Sequence, residues 1–159
     1  MNALSDFKFL IGKWSVHNRR LKKRLDKCDE WVSFDATMET KSILNGLGIM
    51  DEMKTSFFGD EFIGLSIRMF DPASNTWQIY WADTANPSVG LKEQVVGQFA
   101  DGVGLFYGKE MYDGQEVKLR FMWKSDSFGT AEWQQAYWDE SIGDWETNWT
   151  MFFSSMRVQ

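Results

Sequence analysis

The sequence predicts an all-β fold, a single antiparallel up-and-down barrel of about ten strands, and three observations predict it. Apolar and polar residues alternate with period two along most of the chain, while helical periodicity is scarce. Turn-forming pairs such as Asp101-Gly102 and Asp113-Gly114 separate the alternating runs at close intervals, supplying the positive φ that tight hairpins demand. Aromatic residues reach 16% with nine tryptophans, and a chain so rich in them is protected from edge-to-edge aggregation by closing its sheet.

In chain order, Leu4–Ile11 reads as a helix of about two turns with Phe7, Leu10 and Ile11 on its apolar side, short enough to plug a barrel end. Gly12-Lys13-Trp14 opens the first strand, where alternation points Trp14, Val16 and Asn18 inward and His17 outward. Arg19, Arg20, Lys22, Lys23, Arg24 and Lys27 then crowd six of the seventeen basic residues into nine positions. They read as a solvated hairpin tip or as a rim that steers an acidic ligand toward the open end. Cys28 follows in a polar stretch that reads as a loop, and as the single cysteine it permits no intrachain disulfide.

Farther along, Ile49, Asp51 and Met53 share an inward face, and Trp77, Ile79 and Trp81 share another. Simple alternation turns Arg68 outward with Ser66 and Phe70. Residues 84–93 form the longest stretch without alternation and are the candidate mouth loop. Val117, Leu119, Phe121 and Trp123 oppose Lys118, Arg120, Met122 and Lys124; a bulge would be needed to bring Arg120 inside. Trp133, Gln135 and Tyr137 point inward, as do Trp145, Thr147, Trp149, Met151 and Phe153 on the last run.

The chain of 159 residues fits one domain, 1–159, with no internal repeat or linker. A net charge of −6 opposes general attraction to nucleic acid or anionic membranes. No apolar run approaches the roughly 20 residues that span a bilayer, and no basic-then-apolar leader opens the chain, so a cytoplasmic location is expected. One histidine and one cysteine leave no zinc-like ligand set. Nucleotide loops and the Gly-x-Ser-x-Gly nucleophile turn are also absent, so neither a metal nor a cofactor is expected.

Gly12-Lys13-Trp14 resembles the Gly-x-Trp signature of the calycin superfamily, which includes lipocalins and fatty-acid-binding proteins. A wider set is similar to a calycin-like family of uncharacterised bacterial proteins: Trp14 to Leu21, Glu30 to Phe34, Leu44 to Asp51, Arg68 to Pro72, Trp77 to Ala82, and Trp145 to Trp149. The resemblance implies a lipocalin-like barrel without an established activity. It also implies that Gly12 and Trp14 mark the closed end, with Arg157 as the positional candidate for an arginine lying over Trp14. Some relatives in the superfamily bind haem through a histidine near the C-terminus, and this chain has none there.

The candidate ligand-binding residues are Asn18, Asp51, Trp81, Arg120, Trp133, Gln135, Tyr137 and Trp149. The tryptophans supply apolar walls; the polar groups, costly to bury alone, are to be satisfied by one another, by water or by a ligand. The first expectation is a barrel that binds a small apolar or aromatic molecule, with or without an acidic group, and a homodimer is compatible with it. An acid/base enzyme of lyase or cyclase type is the second, with Asp51 titrating and Tyr137 or Arg120 stabilising charge. The third is an interaction protein whose aromatics fill a closed interior.

Overall fold

A computed structural model describes residues 5–126 and 128–156. Ten strands follow one another: β1 (Gly12–Leu21), β2 (Trp31–Ile43), β3 (Gly48–Thr55), β4 (Phe62–Asp71), β5 (Thr76–Asp83), β6 (Lys92–Ala100), β7 (Val103–Tyr112), β8 (Gln115–Ser125), β9 (Ala131–Asp139) and β10 (Asp144–Ser155). Each pairs antiparallel with the next, and β10 returns to β1 with Trp14 opposite Ser155 and Arg20 opposite Trp149, closing the barrel. The tight hairpins are built as their residues demand: Asp101 and Gly102 have φ of 53° and 80°, Asp113 and Gly114 51° and 78°, the left-handed pair of a type I′ turn.

The expected N-terminal helix is instead a single 3-10 turn, Lys8–Leu10. Tertiary packing fixes this segment more than helix propensity does, because the turn is a plug. Phe7 is fully buried, meeting Trp77 and Phe99 edge-on at 5.0 Å. Leu10 lies beside it, and the Leu10 carbonyl accepts the Trp14 indole N–H at 2.8 Å. Trp77 donates its indole N–H to Asp6 at 2.9 Å. Removing the Phe7 ring from water contributes about 2–3 kcal/mol, so the plug is held by its own core. Gly12 supplies φ of 126°, which lets the chain leave the plug and enter β1. Trp14 thus sits at the closed end, edge-on to Phe153; Arg157 falls outside the described residues.

Two irregularities redirect side chains. Between Thr147 and Trp149 the β9–β10 register slips, and Asn148 is the extra residue. Trp149, Met151 and Phe153 therefore face the interior, while Trp145, expected on the same face, lies outside against Trp138 at 5.5 Å and Tyr107 at 6.0 Å. A second slip in β5–β6 sets Ile79 opposite Val95 but Tyr80 opposite Glu93, leaving Gln94 free to turn inward.

Candidate functional site

The interior does not collapse onto its tryptophans. Above the plug lies a cavity of about 470 Å³ that reaches the far rim, within the range of pockets holding small molecules. Its walls are aromatic and thioether: Trp81, Trp123, Trp133, Trp149, Phe121 and Met53. Trp81 is placed by β5 and held by its indole N–H on Asp83 at 2.8 Å. It also needs Gly64 on the neighbouring strand, because a Cβ there would come within 2.1 Å of the indole Cη2. Trp133 meets Trp149 edge-on at 5.5 Å.

At the floor stands an ion pair. Asp51 of β3 and Arg68 of β4 are both 3% exposed, with Arg68 Nη1 donating to Asp51 Oδ2 at 2.5 Å. Burial pushes the Asp51 carboxyl above the usual carboxylate range, against the downward pull of Arg68. The guanidinium lies 5.2 Å from the ring centres of both Phe7 and Trp123, and its Nε has no hydrogen-bond partner among the described residues. Simple alternation turns Arg68 outward, whereas the structure buries it, for a physical reason. On β4, Gly64, Ser66 and Arg68 are the buried positions, whereas Ile63, Leu65, Ile67 and Met69 are only half-buried on the other face. Apolar residues outside and polar residues inside invert the usual pattern, because the carboxylate of Asp51 requires a counterion.

Arg120 shows the opposite. It stays on the outer face of β8, its guanidinium 4.9 Å from the Trp145 ring centre, and it does not reach the cavity. No bulge interrupts the β7–β8 or β8–β9 register to turn it in.

Polar residues between the tryptophans form two short relays. Asn18, fully buried, accepts the Trp149 indole N–H at 2.9 Å and so fixes that wall from behind rather than lining the cavity. Gln135 lines the cavity and donates to Asn148 Oδ1 at 2.9 Å. Asn148 is also fully buried, and its amide nitrogen has no partner among the described residues.

The rim carries charges that alternation alone did not single out. Arg20 follows Asn18 by two positions and faces the same way, so extending the β1 pattern one step would have found it. Its guanidinium lies 4.5 Å from the Trp149 ring centre and 5.4 Å from that of Phe58. Burial and the neighbouring Arg24 pull its pKa down to about 10. The β1–β2 connection bends back over the opening. Arg24 Nη1 donates to the Tyr137 hydroxyl at 2.7 Å, Arg24 N–H to the Tyr112 hydroxyl at 3.2 Å, and Leu25 N–H to Glu146 at 2.8 Å. Tyr137 therefore belongs to this strap rather than to the cavity wall. Burial, reinforced by Glu110, holds its hydroxyl above the ordinary tyrosine range. The basic run is thus divided: Arg20 and Arg24 turn in, Arg19 lies outside over Trp31, and Lys22, Lys23 and Lys27 are exposed. From residues 84–93, Ala85 and Asn86 reach the cavity, and Asp83 holds their turn with its carboxylate.

His17 points outward as expected, paired with Asp35 at 2.9 Å in a shallow groove of the sheet exterior. Among the described residues no three His, Cys, Asp or Glu side chains stand together to hold a metal ion. No described helix is long and apolar enough to cross a membrane.

No protein-family model matches the chain, and no curated protein sequence matches it. Among solved structures, the chain is similar to the crystal structure of Rv2717c from M. tuberculosis, with 12% identity, a TM-score of 0.57, and 99% of each chain covered. At that identity the likeness is one of fold: a closed ten-stranded antiparallel barrel over the whole length.

Proposed function

We propose that this protein is a cytoplasmic, calycin-like carrier or sensor barrel that binds one small apolar or aromatic molecule in its interior. The observation that supports this reading is the 470 Å³ cavity with aromatic walls and a few polar groups converging on it. A barrel whose aromatics merely filled its core would have no such space. Ligand burial against Trp81, Trp133 and Trp149 supplies the affinity; Gln135 and the rim charges orient the polar end. Net charge of −6 favours a small molecule over nucleic acid or anionic lipid as partner. The acid/base alternative is less favoured, because Arg68 occupies the carboxylate that would have to move protons.

Titration with the neutral fluorophore N-phenyl-1-naphthylamine tests the proposal. Emission should rise on entry into the apolar interior and saturate at one equivalent. Ser66→Phe, which fills the cavity from β4, should abolish the rise while leaving the melting transition cooperative. An unsaturable signal, or one unchanged by Ser66→Phe, would refute binding inside the barrel.

A further inference from the structure

We propose that the cavity takes an aromatic monoanion head-out, its acidic group held at the mouth by Arg20 beneath the Arg24 strap and its apolar body directed toward the floor. This rests on the reading of the cavity as a ligand site. Two cationic stations border the cavity, and only one is open. At the floor, the charge of Arg68 is met by Asp51, and the guanidinium is enclosed by Phe7 and Trp123. At the mouth, Arg20 makes no ion pair among the described residues, and its Nε has no hydrogen-bond partner. The rings of Trp149 and Phe58 favour a cation through their quadrupoles but offer no lone pairs to its N–H groups.

No nearby acid caps the Arg20 guanidinium among the described residues. Arg24 is close enough to depress the Arg20 pKa, and it forms no ion pair of its own among the described residues. Glu110 is the acid that attracts Arg20, yet it stays beyond ion-pair distance and its side chain is hydrogen-bonded to Tyr137. Asp83 also borders the mouth, but its carboxylate is turned into its own loop, where the Trp81 indole, the Ala85 and Asn86 backbones and the Asn86 amide all donate to it. Glu146 is engaged by the Leu25 backbone. Each acid at the mouth is thus held by another partner, and the Arg20 Nε–H faces a partly dry opening without an acceptor among the described residues. A monoanion supplies the missing acceptors, and the planar guanidinium fork suits a carboxylate or sulfonate. Trp149 against the guanidinium and Trp81 elsewhere on the cavity wall favour an aromatic body over a branched one.

The test uses a matched pair of fluorophores on the intact protein: neutral N-phenyl-1-naphthylamine and 8-anilinonaphthalene-1-sulfonate, which share a skeleton and differ by the acid group. The anion should bind about tenfold tighter, the effect of one charge-assisted contact. Arg20→Leu should erase that preference, read as the ratio of the two probes' affinities on the same variant; Arg20→Lys should keep part of it. A preference that survives Arg20→Leu, or that Arg68→Met removes instead, overturns the head-out assignment while leaving the cavity reading intact. If the neutral probe does not bind the unmodified protein, the cavity reading fails first and the assignment with it. Thermal melts of each variant exclude simple unfolding as the cause, and Arg20→Gln serves where Arg20→Leu does not fold.

Discussion

Replacing Gly64 by alanine should narrow the ligand chamber by pushing one of its walls. The Cβ of alanine would lie 2.1 Å from Trp81 Cη2 and 2.6 Å from Cζ2. Carbon atoms are comfortable at roughly 3.5–4.0 Å, so the indole has to retreat by about 1.5 Å. It has little freedom to do so: its N–H is tied to Asp83 at 2.8 Å, and Phe62 stacks beside it at 6.4 Å. The cost should fall in the range of overpacked cores, about 1–3 kcal/mol, measurable by urea unfolding. Because the displaced ring intrudes on the cavity, affinity for N-phenyl-1-naphthylamine should fall about tenfold as well, corresponding to about 1.4 kcal/mol. A double-mutant cycle isolates the contact: in a Trp81→Leu background, Gly64→Ala should cost less than about 0.5 kcal/mol. An equal cost in both backgrounds would refute the argument, since the penalty would then lie in the strand backbone and not in the indole.

The Asp51–Arg68 pair makes a second prediction. Asp51→Asn leaves a buried guanidinium without its counterion and should destabilise the fold by about 3–5 kcal/mol, whereas the double variant Asp51→Leu/Arg68→Met should be near neutral, because desolvation of the pair offsets its attraction. Denaturant unfolding of the three variants decides it; a double variant as unstable as the single would contradict the account. Tyr137 makes a third. Its folded-state pKa is raised, so its contribution to stability is present below the unfolded value of about 10 and is lost as pH rises beyond it. Ultraviolet titration should show at least one of the four tyrosines still protonated at about pH 11 in the folded protein, and Tyr137→Phe should remove that retained hydroxyl. Full ionisation of all four at that pH would contradict the strap geometry.

The barrel itself was legible because its strands obey period two and its hairpins carry Asp-Gly turns. Trp14 inward, His17 outward, and Asn18, Asp51 and Gln135 on interior faces all follow from alternation and agree with the structure. What escaped are the places where the interior is not simply apolar. On β4, the residues Leu65, Ile67 and Met69 mimic a core face while the actual interior face carries Ser66 and Arg68. On β10, one extra residue at Asn148 sends Trp145 and Trp149 to opposite sides, and no local pattern announces a bulge. Arg20 and Arg24 looked like part of a solvated basic run; their inward turn depends on aromatic partners from β3–β4 and β9–β10 that are distant in sequence. Long-range pairing, not local propensity, set each of these outcomes.

Native mass spectrometry of the protein purified from its own cells shows whether a small molecule occupies this barrel. A complex carrying one co-purified aromatic, anionic molecule per chain, released on denaturation and lost in the Ser66→Phe variant, is expected. A bare chain mass under the gentlest conditions, with no gain on adding the fluorophores, would contradict it.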